Sequence, residues 1–83
     1  MSIFTSLSDD TKLDIVSNQK RAVLERTYLY LIRLGINPET FNKETYTPTS
    51  EGDLEEGDIY SQNELVKALE EFDLLCEIED SLT

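Results

Sequence analysis

At 83 residues, with one cysteine and no histidine, the chain has room for one small hydrophobic core and cannot close an internal disulfide. The missing histidine excludes Ser-His and Cys-His nucleophilic catalysis and the usual His/Cys zinc centres. No stretch reaches the roughly 18 apolar residues of a membrane span. The expectation is a soluble, cytoplasmic protein with no cofactor and no enzymatic activity, in which the lone Cys76 fills a small apolar position.

Charge divides the chain. Residues 1–43 carry six basic and five acidic side chains, whereas residues 44–83 carry one basic and thirteen acidic, within a total of −11. Such a chain is repelled by nucleic acids and anionic membranes and attracted to basic protein surfaces at a rate that falls with salt. Its composition is that of small accessory or viral-type proteins.

At the start of the chain, Ile3, Phe4 and Leu7 are spaced to lie against the core, and no signal-peptide pattern is present. Ser8 followed by Asp9 and Asp10 is N-terminal helix chemistry: a hydroxyl to accept an orphan amide, then carboxylates at the positive end of the helix dipole. From Asp9 to Leu34 there is no proline or glycine. Leu13, Val16, Val23, Leu24, Thr27, Leu31 and Leu34 fall on steps of three and four, which predicts a long helix. Its polar middle, Gln19 to Arg21, is read as a solvent gap, a bend or a break. Gly35 and Ile36 supply a left-handed cap with an apolar clasp.

The densest apolar run in the chain is Thr27 to Gly35, TYLYLIRLG. As a helix it is apolar nearly all round and needs cover on more than one side. A competing reading makes Thr27 to Ile32 a strand, since Thr, Tyr and Ile favour strands, but no second strand is evident to pair with it.

Asn37 and Pro38 start a short helical turn, with Phe41 expected to fold back onto the first helix. Residues 42–60 then form an acidic loop with Pro48, Gly52 and Gly57 and the sparse apolar anchors Tyr46, Leu54, Ile59 and Tyr60. Ser61 to Glu64 reads as a capping box before Leu65, Val66, Leu69, Phe72, Leu75 and Cys76. An amphipathic C-terminal helix is therefore expected from Gln62 to about Cys76 or Asp80, and no internal repeat is evident.

Three groupings bear on chemistry. Asp53 to Glu64 resembles a calcium-binding EF-hand loop in the places of Asp53, Glu55, Ser61 and Glu64, but Gly57 and Asp58 stand interchanged at its fifth and sixth places, so no metal site is expected. The bases Lys12, Lys20, Arg21, Arg26 and Arg33 make a poor nucleic-acid patch beside so many acids. They are expected to meet the acids of the last helix, within the chain or across a dimer. The acids themselves suit a solvated face or, alternatively, an imitation of a phosphate backbone.

The chain is thus read as one all-α domain over residues 1–83: a long first helix, a short middle turn, the acidic loop and an antiparallel C-terminal helix across TYLYLIRLG. The function expected is that of a protein–protein interaction subunit or adaptor. Its apolar docking face comprises Tyr28, Tyr30, Ile32, Leu34 and Phe41. The alternative is an acidic inhibitor that blocks the basic groove of a nucleic-acid-binding enzyme or immune effector through Glu55, Glu56, Asp58, Glu70, Glu71, Asp73 and Glu77. The partner expected is another protein with a basic or apolar surface, a second copy of the chain included.

Overall fold

The computed structural model describes residues 6–83 as a helical hairpin, with no strand among them. Helix α1 spans Asp9–Arg33 and helix α2 spans Glu56–Leu82, with a single 3-10 turn at Glu51–Asp53 between them. The expectations for Ile3 and Phe4 lie outside the described residues.

Helix α1 begins as its sequence predicts. The Ser8 hydroxyl accepts a hydrogen bond from the Thr11 amide at 3.2 Å, and Asp9 and Asp10 occupy the first turn. It ends on Gly35, whose φ of 75° is a conformation that a Cβ would oppose. There the Gly35 amide donates to Ile32 O at 3.0 Å and the Ile36 amide to Leu31 O at 2.9 Å, satisfying two orphan carbonyls. No break occurs at Gln19 to Arg21, because Lys20 lies along the inter-helix seam: its ammonium reaches Glu79 at 3.1 Å and stands 5.5 Å from the Phe72 ring centroid.

The helices run antiparallel, since Lys20 meets Glu79 whereas Arg26, further along α1, meets Glu71, earlier on α2, at 2.7 Å. The core along their seam is thin. Its buried apolar residues are Val16, Val23 and Leu31 on α1 and Leu65 and Ala68 on α2, with Val23 and Leu65 fully enclosed. Thr27 is buried with them, its hydroxyl donating to Val23 O at 2.8 Å.

Helix α2 begins six residues before the expected Gln62, which shortens the acidic loop. Glu55 takes the extended N-cap conformation and its carbonyl accepts from the Asp58 and Ile59 amides, while Glu56 and Asp58 place acids in the first turn, where the dipole favours them. Ser61 and Gln62 are therefore interior helical residues, and both are buried. The Ser61–Glu64 pattern is not a cap, because the true cap lies upstream where no side chain of the preferred N-cap types marks it. The helical conformation from Glu56 onward also leaves no calcium-loop geometry between Asp53 and Glu64.

The connection between the helices contains two copies of one small device. In Asn37-Pro38-Glu39-Thr40-Phe41 and Asn42-Lys43-Glu44-Thr45-Tyr46, each Asn side chain accepts from the amide two residues on, at 3.0 and 2.9 Å. Each Asn carbonyl faces the following Thr amide at 3.3 Å. The aromatic residues that close the two pentapeptides meet, with ring centroids 5.4 Å apart and an interplanar angle of 57°. Phe41 thus pairs with Tyr46. The segment is then fastened to α2 by Gln62, whose amide accepts from Thr49 N at 2.9 Å and donates to Thr49 O at 2.7 Å.

Candidate docking surface

A helix advances 100° per residue, so residues two apart point nearly opposite ways and residues four apart share a side. The predicted docking set of Tyr28, Tyr30, Ile32 and Leu34 is spaced by two, and the hairpin divides it. Tyr28 and Ile32 lie on the outer side of α1, 50% and 51% exposed. Tyr30 and Leu34 are half-buried on the other side. Tyr30 carries the Arg33 guanidinium at 5.4 Å from its ring centroid and hydrogen-bonds the Tyr60 hydroxyl. The charge and hydrogen bond of Tyr30, with Glu64 beyond, hold the Tyr60 phenol above its ordinary pKa.

What the outer side of α1 gathers instead is Leu24, Tyr28 and Ile32 at steps of four, with Leu29 beside them. Leu24 and Leu29 are 52% and 54% exposed, although the sequence pattern assigns Leu24 to the packed stripe. The 24-28-32 spacing is the signal that identifies this second stripe. Leu24, Tyr28 and Leu29 line a shallow groove flanked by Arg21 and Glu25, which pair with each other at 3.6 Å. The rim is therefore charged but locally neutral.

A second apolar hollow lies toward the start of α1 and the end of α2, lined by Leu7, Lys12, Ile15, Val16, Ile78 and Leu82. Leu7 thus reaches the helices as its spacing predicts.

The acidic set is divided as well. Glu71 is engaged by Arg26, and Asp73 by the Lys43 ammonium. Lys20 takes Glu79, as the expected meeting of basic first helix and acidic last helix requires. The hydrogen bonds to these carboxylates are the chief cause that raises the Lys20 and Lys43 pKa values above the ordinary lysine value. Glu55, Glu56, Glu70 and Glu77 remain exposed, and Asp58 is half-buried in the first turn of α2. No group of three or more carboxylate or thiol side chains among the described residues is placed to hold a metal ion, and no described helix is long and apolar enough to cross a membrane.

Compared with protein-family models, with curated proteins and with solved structures, the chain matches none.

Proposed function

We propose that this is a non-enzymatic interaction protein, an assembly subunit or adaptor, that docks through the outer apolar side of α1. The observation that carries the reading is the run of Leu24, Tyr28, Leu29 and Ile32, each about half exposed, along a helix whose other side is already engaged with α2. Scattered exposed apolar residues are ordinary, but four adjoining ones on one helix side form a contiguous patch of the kind that marks a binding surface. Tyr28 suits its edge, since its ring can be covered while its hydroxyl stays wet.

The acidic-inhibitor reading has less support. Four of the carboxylates on α2, those of Glu64, Glu71, Asp73 and Glu79, are matched by lysine or arginine of the same chain, leaving a sparser set than a phosphate imitation calls for. The test is photo-cross-linking in the native cell from a reactive residue placed at Leu29 or, as a control of equal exposure on α2, at Leu74. Capture from Leu29 and not from Leu74 is expected. Capture of nothing from Leu29 sinks the reading.

A further inference from the structure

Resting on that reading of α1, we propose that the occupant of its outer side is a second copy of the chain. The copies are related by a two-fold axis with their α1 helices antiparallel, giving a four-helix assembly with α1 pairs inside and α2 helices outside.

Three observations point to a second copy. The first is charge: α1 carries five bases against four acids and α2 one base against nine. Joining two chains through α1 sets the acidic helices on opposite flanks, where repulsion between them is weakest. A strongly basic partner would be drawn to α2 instead. The second is the rim. Arg21 and Glu25 offer both signs on one groove, so the patch complements itself under two-fold symmetry, which is the condition for an isologous interface.

The third is area. The chain exposes 6171 Å², against about 5,000 Å² expected of a compact monomer of its 9.5 kDa mass. Its radius of gyration is 15.7 Å against about 12 Å for a compact chain of this length. The surplus is of the order of the roughly 800 Å² per partner that a standard interface covers.

Orientation follows from the same charges. Antiparallel α1 helices oppose their dipoles favourably and send the two acidic connections to opposite ends, whereas a parallel pair would bring them together. Leu24 and Ile32, which share a side about Tyr28, are then the natural exchange partners, each packing against the other position of the second copy.

Sedimentation equilibrium of the full chain tests this. The expected species at micromolar concentration has twice the 9.5 kDa chain mass. Leu24→Glu with Ile32→Glu should return it to a monomer of unchanged helicity, while Leu74→Glu leaves the dimer intact. Leu29→Lys serves as a second disrupting variant if the first loses helicity. In a mixture of Leu24→Cys and Ile32→Cys chains, both also Cys76→Ser, oxidation should favour the mixed bridge over same-position bridges. A monomer throughout overturns the proposal, as does a dimer that survives both disrupting variants; dominant same-position bridges overturn the antiparallel arrangement. The broader docking reading is separable, since a monomeric chain whose Leu29 cross-linker captures a different protein contradicts only the dimer.

Discussion

The Gln62 side chain closes on the backbone of Thr49 with a pair of hydrogen bonds, 2.9 Å to its amide and 2.7 Å to its carbonyl, as a strand neighbour would. Tyr46 adds its hydroxyl to the same Gln62 oxygen at 3.3 Å. One buried amide therefore holds the far end of a connection that has little core of its own. Gln62→Ala should cost about 1–3 kcal/mol, measured as a fall in the thermal midpoint of roughly 4–8 °C per kcal/mol. Gln62→Glu should be worse at neutral pH and recover in acid. The ionised carboxylate cannot donate to the Thr49 carbonyl, so the protonated form is favoured by folding. Its stability is present below the unfolded-state pKa and is lost as pH rises through the raised folded-state value.

Two leucines on α2 separate core from surface. Leu65 is fully enclosed and Leu74 is 55% exposed. Leu65→Ala should cost about 2–5 kcal/mol in chemical denaturation, enough to unfold much of a hairpin this small. Leu74→Ala should stay within about 0.5 kcal/mol of the parent.

Two glycines respond in opposite directions to one methyl group. Gly35 has φ of 75°, whereas Gly57 lies in the first turn of α2, and an added Cβ meets nothing within 4 Å at either. Backbone strain alone then sets the sign. Gly35→Ala should destabilise by about 1–2 kcal/mol, while Gly57→Ala should stabilise by about 0.4–1 kcal/mol. Midpoints that shift alike would contradict the assigned helix ends.

Alkaline pH should weaken the fold. Hydrogen bonds to Glu79 and Asp73 raise the Lys20 and Lys43 pKa values, and burial raises that of Tyr46. Each shift stabilises the protonated folded form, so the contribution is whole below the unfolded-state values and is lost as pH rises through the folded-state ones. Circular dichroism melts should show a midpoint that declines above about pH 10. Replacing both lysines by methionine should lower the neutral midpoint and flatten the decline.

The long helices were legible because period and punctuation agreed. Ser8, Asp9 and Asp10 mark one end of α1 and Gly35 the other, and both marks act as their chemistry dictates. The start of α2 was hidden because Glu55 caps through its backbone alone, while Ser61 and Glu64 imitate a cap within the helix. The docking residues were only half legible. In TYLYLIRLG every position but Arg33 and the terminal Thr27 and Gly35 is apolar or aromatic, so composition could not say which side met α2. Helical geometry alone separates Tyr28 and Ile32 from Tyr30 and Leu34. The repeated Asn-x-Glu-Thr-aromatic unit was present in the sequence throughout, but at two copies of five residues it falls below the scale at which repeats build folds.

Docking through α1 is most directly tested by comparing two variants for retention of the bound partner, captured from the native cell at low and at high salt. One carries Leu24→Glu and Ile32→Glu. The other replaces the exposed Glu55, Glu56, Glu70 and Glu77 by glutamine, sparing Glu71 because it holds Arg26. The account predicts that the first variant loses the partner at both salt concentrations and that the second keeps it. Loss confined to the glutamine variant, or binding by the unaltered chain that vanishes at high salt, would contradict apolar docking and favour the acidic face.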